Sequence, residues 1–297
     1  MRSQEKDALG DTRLVRDHRE KPPSEVEIER RWRQVLLRGG SMEDFQRAYD
    51  ELHAEFLRRQ GEDGEIYGEV NPRSERSERV QALILRYIGS GARVLEVGTG
   101  DGVTSYLLAR QGNRVISVDV SRIALERAHA RWGGDPSLAL EFKLGDARAL
   151  DFPDDSFDFV VSENMVEHIS LADMHTHLQE VRRVLAPGGE YLLYTPSRLW
   201  SGRVSVGFHL HVYTLRELCR LLRSWGFQPV WLEPRLFHRL GRIVPVSGPG
   251  LWAAWAWEAL LRGLQVQHWP VALKARIIPS VMVSAKLPAG QANEGRT

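Results

Sequence analysis

The feature that most constrains the fold is a regular alternation of short apolar runs and amphipathic stretches, which starts after Gly91. Short apolar runs bounded by turn-forming residues are typical of buried strands, and the stretches between them have helical spacing. Strands that alternate with helices predict a mostly parallel sheet with helices on both faces. We therefore expect an α/β domain with a doubly wound sheet.

Seven segments have the length and apolar content of strands. They are residues 93–97, 115–120, 138–144, 157–162, 191–194, 229–232 and 280–286. Between the fifth and sixth strands, Thr214 is followed three residues later by Glu217. This pair forms a capping box, which predicts the first turn of a helix.

The rest of the chain divides into three parts. Residues 1–24 alternate charges without apolar periodicity, and we expect a disordered tail because little burial would offset its ordering entropy. Residues 25–70 have helical spacing and form an N-terminal helical extension, and residues 71–297 form the sheet domain. Within that domain, a Trp-rich insert at 235–276 separates the sixth and seventh strands and is expected to be helical.

Charge and cysteine content exclude several classes of protein. The 40 Lys and Arg residues against 39 Asp and Glu residues leave a formal charge of +1, so no overall field attracts nucleic acid. A single cysteine, Cys219, excludes an internal disulfide framework and suits the cytoplasm. The N-terminus lacks the apolar stretch of a secretory signal, and the uncharged run 243–257 is too short to span a membrane. We expect a cytoplasmic protein.

A glycine-rich loop follows the first strand, at residues 96–102. Its glycines are Gly98, Gly100 and Gly102. Glycine lets a ligand approach the backbone closely at the N-terminus of a helix. A dinucleotide fingerprint would place its third glycine one residue later, where Val103 stands. The spacing therefore disfavours a nicotinamide cofactor.

Acidic residues lie in this loop and at the ends of the next two strands. Glu96 and Asp101 would repel a pyrophosphate and favour a cationic ligand. Asp119 ends the second strand, where a carboxylate can accept hydrogen bonds from ribose hydroxyls, although NAD would suit this position equally well. Asp146 follows the third strand beside Ala147, where it could accept from an adenine amino group or simply hold a turn.

Five segments carry a resemblance to a known family. They read VLEVGTGDG at 94–102, VD at 118–119, GDA at 145–147, FDFVV at 157–161 and LAPGGEY at 185–191. In this order they resemble the successive motifs of the class I S-adenosylmethionine-dependent methyltransferases, over roughly residues 75–235. The resemblance implies a seven-stranded sheet whose last strand is antiparallel.

The resemblance also implies a set of cofactor contacts. The loop would hold the amino-acid end of S-adenosylmethionine, Asp119 the ribose and Asp146 the adenine, while the backbone near Ser162 and Glu163 would face the methionine portion. The complete set of expected cofactor residues is Glu96, Gly98, Thr99, Gly100, Gly102, Asp119, Val120, Asp146, Ala147, Ser162 and Glu163.

Histidines at the same edge of the sheet are candidates for contact with the methyl acceptor. His168 follows the fourth strand and is the first candidate for a general base, with a structural role in the loop as the alternative. His211 is expected to contact the substrate. His209, His211 and Tyr213 together invite a metal interpretation, but no Asp, Glu or His spacing elsewhere completes it, so no metal is expected. His177 is expected to be solvated.

The Trp-rich insert has three interpretations. It can pack over the N-terminal helices as a small core, or it can form a lid over a greasy acceptor. Alternatively, residues 243–264 can touch a membrane surface, because tryptophans flanked by arginines suit an interface.

The sequence therefore predicts a methyltransferase that acts on an oxygen, or less favourably a nitrogen or carbon, of a small molecule, sugar or lipid-linked glycoconjugate. Nucleic acid is not an expected partner. The alternatives are an NAD-dependent oxidoreductase and a non-catalytic scaffold of the same fold.

Overall fold

A computed structural model gives the fold of the chain. It describes residues 23–63, 75–201, 209–232, 245–246, 248–264 and 281–289. The tail expected at 1–24 lies outside these residues except for Pro23 and Ser24, which begin the first helix. Of the Trp-rich insert at 235–276, only 245–246 and 248–264 are described.

One mixed sheet forms the centre of the protein. Its strands are β1 (Arg93–Val97), β2 (Arg114–Asp119), β3 (Leu140–Leu144), β4 (Phe157–Glu163), β5 (Leu185–Thr195), β6 (Gln228–Leu232), β7 (Pro245–Val246) and β8 (Val281–Lys286). They lie in the order β3-β2-β1-β4-β5-β8-β6-β7. The pairs among β1 to β5 are parallel, and β8 runs antiparallel to both β5 and β6.

Helices cover the sheet. They are α1 (Pro23–Leu37), α2 (Met42–Asp63), α3 (Glu75–Ile88), α4 (Val103–Arg110), α5 (Arg122–Trp132), α6 (Leu171–Val184), α7 (Arg198–Ser201), α8 (Leu215–Ser224) and α9 (Gly248–Gly263). A single 3-10 turn, Val166–His168, follows β4.

The doubly wound, mostly parallel sheet with an antiparallel last strand is confirmed. All seven expected strands are present, and the two-residue β7 adds an eighth from within the Trp-rich insert. Strand β5 begins at Leu185, earlier than expected, because Leu185 already pairs with Phe157 of β4, and the Pro-Gly-Gly segment lies in an irregularity before pairing resumes at Glu190. The expected capping box at α8 forms in full, with Thr214 and Glu217 bonded to each other's backbone N–H groups.

Apolar side chains form two cores, one on each face of the sheet. On one face, α3 and α4 pack against the strands through residues such as Leu83 and Leu108. On the other, α6 and α8 share a core with the N-terminal helices, which contribute Leu36 and Phe45. The N-terminal extension is therefore part of the main core, and this places it beside the carboxyl ends of the strands.

Among the described residues, one side of helix α9 from the Trp-rich insert packs against the rest of the protein. It contacts α7 and α8, and Trp255 is buried in the core of that face. Glu258 is also fully buried, and its carboxylate accepts hydrogen bonds from the N–H groups of Leu215 and Arg216, at 2.8 and 3.2 Å. This carboxylate satisfies donors at the first turn of α8 that the helix itself leaves unpaired.

Within the described parts of the chain, no helix has both the length and the apolar character needed to cross a bilayer.

Candidate functional site

A cavity of about 550 Å³ opens at the carboxyl ends of β1, β2 and β4. In a parallel sheet these ends meet at one edge, and β1 pairs with β2 on one side and with β4 on the other. Strand order reverses around β1, and ligands of doubly wound folds bind at such a point. The volume lies within the ~300–1,000 Å³ typical of small-molecule sites.

The glycine loop forms one wall of this cavity and is packed tightly. Gly98 has a φ of +89°, and a Cβ placed there would lie 2.8 Å from the Cβ and Cγ atoms of Met165. At Gly100, with a φ of +53°, an added Cβ would meet no protein atom within 4 Å. The backbone at Gly100 therefore faces open space, so a ligand can approach it directly.

Asp119 lies at the end of β2, in the wall of the cavity. Its two carboxylate oxygens accept hydrogen bonds from the backbone N–H groups of Gly100 and Ser121, at 3.1 and 2.9 Å. Burial raises the pKa of this carboxyl, and the two N–H groups and the neighbouring His53 oppose that rise. The carboxylate is thus fixed in orientation and keeps lone pairs for two hydroxyl donors.

Asp146 also lines the cavity, but it has a partner that the sequence did not reveal. Arg148 binds both of its carboxylate oxygens, with Nη2–Oδ2 and Nε–Oδ1 distances of 2.7 and 2.9 Å. The same guanidinium reaches Asp173 and the carbonyl oxygen of Gly40, and lies over the ring of Phe45. Asp146 therefore helps to attach the N-terminal extension, whatever else it binds.

Two glutamates lie close to the loop, Glu96 buried and Glu163 partly buried. Glu96 accepts hydrogen bonds from the hydroxyls of Ser105 and Ser117 beneath the loop, and burial raises its pKa to about 8. Glu163, at the end of β4, accepts from Thr104 and lines the cavity, and burial raises its pKa to about 7. Glu163 is therefore the carboxyl placed to attract a cationic ligand.

The residues predicted to contact the cofactor fall into two groups. Those that line the cavity are Gly98, Gly100, Asp119, Val120, Asp146, Ala147 and Glu163. Those that do not are Glu96, Thr99, Gly102 and Ser162. All four residues of the second group are buried, and they support the loop and the ends of the strands. Glycine is needed at position 102, for example, because a Cβ there would lie 2.9 Å from that of Ala128.

Ser162 belongs to a buried chain of hydrogen bonds. Its hydroxyl lies 2.7 Å from that of Tyr191, which lies 2.9 Å from Nε2 of His177. Nδ1 of His177 lies 2.9 Å from the carbonyl oxygen of Ala147 and therefore carries the ring proton. Burial lowers the pKa of His177 to about 4, so the ring is neutral and Nε2 accepts from Tyr191.

The expectation that His177 is solvated is wrong, because its side chain is fully buried. The reason lies in the packing of α6. Its apolar residues recur at helical spacing and mark its inner face, and His177 lies on that same face. The hydrogen-bonded chain ties β4 to the loop that carries Ala147, and so it supports the wall of the cavity from behind.

The N-terminal helices close the cavity opposite the sheet, which sequence reasoning missed. The residues they contribute to its lining are Glu29, Phe45, Tyr49, Leu52 and His53. Asp50 fixes α2 to the rim, because its carboxylate accepts from the hydroxyl of Ser121 at 2.7 Å and from the N–H of Ile123 at 3.2 Å. Amphipathic spacing reveals which face of α2 is apolar, but it does not reveal what that face covers.

The candidate catalytic histidines lie in different places. His168 lines the cavity on the side of Met165 and Ile169, and His209 lines it as well. His211 does not line it. Its Nε2 lies 3.3 Å from Nη2 of Arg198, and its ring packs against Tyr213. The roles proposed for His168 and His211 stay predictions, but only His168 is within reach of a ligand in this cavity.

The cavity meets the requirements of S-adenosylmethionine. It has a fixed carboxylate at the end of β2, an open glycine backbone at position 100, and a partly buried carboxyl, Glu163, near the place expected for positive charge. Much of the remaining lining is apolar. The donor set suits a ligand with ribose hydroxyls, an amino-acid end and no phosphate.

Comparison with known proteins identifies the kind of domain. Residues 94–189 match the family described as a methyltransferase domain. This range runs from β1 to the start of β5 and so contains the glycine loop, Asp119, Asp146 and Glu163.

Two relatives extend the match. A ubiquinone biosynthesis O-methyltransferase of Cereibacter sphaeroides is 30% identical over 195 residues, which cover 60% of this chain and 72% of the relative. A probable S-adenosylmethionine-dependent methyltransferase of Mycolicibacterium smegmatis is 34% identical over 143 residues, which cover 47% of this chain. The chain spans only about half, 53%, of that second relative.

A solved structure shares the fold. It comes from a complex between the Haloferax volcanii Trm112 methyltransferase activator and a methyltransferase, with a TM-score of 0.53, 20% identity and coverage of 82% of this chain and 99% of that one.

The contact between Gly98 and Met165 can be tested with a matched pair of variants. Gly98 and Gly112 have φ values of +89° and +93°, but only at Gly98 would a Cβ clash, since the nearest atom at Gly112 is 3.8 Å away. Gly112→Ala should lower the free energy of unfolding by about 1–2 kcal/mol, the cost of the left-handed backbone alone. Gly98→Ala should lower the free energy of unfolding further. It should also weaken binding of S-adenosylhomocysteine at least about tenfold, because Met165 must shift into the cavity.

Urea unfolding and calorimetry measure the two quantities. Equal losses of stability in the two variants, with unchanged ligand affinity, would contradict the importance of this contact.

Proposed function

The chain belongs to the class I S-adenosylmethionine-dependent methyltransferases, and we propose that it methylates an oxygen atom of a small molecule, a sugar or a lipid-linked glycoconjugate. The observation that carries the proposal is a single cavity that joins the glycine loop and Asp119 to His168 and His209. Cofactor and acceptor can therefore meet in one continuous cavity. An oxidoreductase and a non-catalytic scaffold are less favoured, because the named relatives are methyltransferases.

The choice of oxygen has two supports. One relative is named as an O-methyltransferase of ubiquinone biosynthesis, and the chain covers 72% of it. The acceptor side of the cavity also presents imidazoles, at His168 and His209, which can interact with a hydroxyl or with a group that binds one. The apolar neighbours Met165 and Ile169 suit the carbon skeleton of a small acceptor.

S-adenosylmethionine supplies a methyl group on a positively charged sulfur. The protein's task is to bind both reactants in line and to exclude water, since methyl transfer is a direct displacement. In our proposal, Asp119 binds the ribose hydroxyls, Asp146 and Ala147 flank the adenine, and the backbone at Gly98 and Gly100 lies along the amino-acid end. Helices α1 and α2 cover the cavity and keep water out.

Glu163 is proposed to attract the cationic part of the cofactor. Its pKa is about 7 in the free protein, raised by burial, and the charged groups near it, Glu96, Asp101 and Glu167, are acidic too. An incoming cation favours the ionised carboxylate and lowers this pKa. Cofactor binding should therefore release a proton at pH 6.5. Above pH 8 the release should be small, because Glu163 is already ionised there, and the affinity for the cofactor should rise as the pH rises through 7.

Calorimetry of S-adenosylmethionine binding in buffers of different ionisation enthalpy measures this release. Glu163→Gln should reduce it. Glu258→Gln is the matched control, because Glu258 is also buried with a raised pKa but lies outside the cavity. The same proton release in wild type and Glu163→Gln would rule out this role.

Transfer of a labelled methyl group tests the proposed function itself. With acceptors paired so that they differ only in the reacting atom, such as a phenol and the matching aniline, the hydroxyl member should be methylated, and His168→Ala should lower turnover at least about tenfold because the acceptor loses its contact. His175→Ala, an exposed histidine on α6, should leave turnover unchanged. Exclusive methylation of nitrogen would contradict the choice of oxygen.

We also propose that α9 touches an anionic membrane surface. Its outward side exposes Trp252 by 64%, Leu260 by 52% and Leu264 by 47%. Two exposed arginines, Arg262 on α9 and Arg220 on α8, which α9 contacts, supply positive charge in this part of the protein. An exposed apolar helix face with arginines on the same pair of helices suits an interface with anionic headgroups. The membrane could then present a lipid-linked acceptor to the cavity.

Flotation with vesicles tests this contact. The protein should float with vesicles that contain phosphatidylglycerol and less with pure phosphatidylcholine, and the double variant Trp252→Ser/Leu260→Ser should remain at the bottom. Leu171→Ser is the control, because Leu171 is a similarly exposed apolar residue, 46%, on another helix. Failure of the wild type to float with anionic vesicles would refute the contact.

A further inference from the structure

Three side chains with metal-binding atoms meet on the acceptor side of the cavity. Glu167 and His168 lie on the 3-10 turn after β4, and His209 lies on the segment after α7. One potential ligand atom from each lies within 4.8 Å of the others. His168 and His209 line the cavity, whereas Glu167 is fully buried behind them.

The backbone holds the two segments together. The carbonyl oxygen of Glu167 accepts hydrogen bonds from the N–H groups of Leu210 and His211, at 2.7 and 3.1 Å. Arg33 on α1 adds a hydrogen bond to the carbonyl oxygen of His209, at 2.9 Å. The position of His209 relative to the turn is therefore fixed by main-chain contacts, and does not depend on the side chains of the cluster.

The carboxylate of Glu167 is oriented but only partly satisfied. Its Oε2 accepts a hydrogen bond from the hydroxyl of Thr195 at 2.9 Å. Its Oε1 has no hydrogen-bond partner among the residues that the structure describes, although the side chain is 0% exposed. A buried carboxylate oxygen without a donor is costly unless a cation or a proton accompanies it.

The two imidazoles are held by packing. The rings of His168 and His209 meet edge to face, with centroids 4.9 Å apart and planes 79° apart. Tyr49 on α2 packs edge to face against His168 as well, at 5.8 Å. The N-terminal helices thus fix the orientation of His168 by ring packing, and Thr195 fixes that of Glu167 by a hydrogen bond. Such supporting contacts are usual around metal ligands.

We propose that Glu167, His168 and His209 bind one divalent transition-metal ion, such as Zn²⁺. Two imidazoles and one carboxylate are a common ligand set for these ions, and three protein ligands leave coordination positions open. This inference replaces the expectation of no metal. In the sequence, His209 had no partner at metal-ligand spacing, and only the fold brings it to Glu167 and His168.

The site, if the proposed function holds, also defines the acceptor more closely. Because His168 and His209 line the cavity, an ion held by them would be accessible to an acceptor and could bind a hydroxyl and a second oxygen beside it, as in a catechol, a diol or a hydroxy-carbonyl compound. A bound ion lowers the pKa of that hydroxyl. The hydroxyl proton leaves to water, the oxygen–carbon bond forms as the sulfur–carbon bond breaks, and the bonding electron pair stays on sulfur, giving S-adenosylhomocysteine and a methyl ether.

Cobalt binding tests the site without cofactor or acceptor. The full chain, free of any histidine tag and stripped with a chelator, is titrated with Co²⁺ while its visible absorption and its metal content are recorded. We expect one Co²⁺ per chain, with visible bands that Zn²⁺ abolishes. Absence of stoichiometric Co²⁺ binding to the wild type would overturn the proposal.

Variants locate the bound ion. Glu167→Gln and His209→Ala should each weaken Co²⁺ binding more than about tenfold, and Thr195→Val should weaken it about tenfold because the carboxylate loses its orienting hydroxyl. His129→Ala, an exposed histidine on α5, should bind as the wild type does. Circular dichroism shows which variants are folded. Co²⁺ binding that is unchanged in folded His209→Ala and Thr195→Val would also overturn the proposal.

The readouts separate this inference from the proposed function. Site-specific Co²⁺ binding without methylation of any oxygen acceptor would support the metal site and count against the proposed function. Methylation of isolated hydroxyls at full rate after chelator treatment, with no Co²⁺ binding, would support the function and refute the metal site.

Discussion

The structure depends on the parallel pairing of β1 with β4 and on the close packing of the loops that follow them. The pairing brings both carboxyl ends to one edge, and there Gly98 meets Met165 so closely that no side chain fits at position 98. This contact sets the separation of the two loops and hence the width of the cavity between them. The fixed carboxylate of Asp119 and the open backbone at Gly100 are useful because this packing holds them in place.

The N-terminal helices are a second structural requirement, because they complete a cavity that the sheet alone leaves open. Arg148 connects the two parts by binding Asp146 and Asp173 on the sheet side and the carbonyl oxygen of Gly40 between α1 and α2. Removing such a guanidinium would leave two partly buried carboxylates without their cation, which costs more than losing a surface ion pair. The wall of the cavity at Asp146 and the attachment of the extension are therefore physically linked through the same loop.

Much of the fold and of the cofactor wall could be predicted from local pattern. Strand ends, the glycine loop and the capping box at Thr214 depend on residues close together in the chain. The boundary of β5 was less predictable, because pairing with β4 overrides the turn signal of its Pro-Gly-Gly segment. Whether a loop residue faces the ligand or supports the loop was not predictable either. Glu96 and Ser162 point to buried partners, and that choice depends on packing from distant segments.

By itself, the sequence determined the α/β class, the positions of the strands along the chain and the chemistry of the glycine loop, since apolar periodicity and glycine spacing act over a few residues. The tertiary structure alone decided which side chains meet. It buried His177 under β5, covered the cavity with α1 and α2, and brought His209 to Glu167 and His168 through hydrogen bonds between segments 43 residues apart. Contacts of this kind depend on how helices pack on the sheet, and the spacing of residues along the chain does not contain that information.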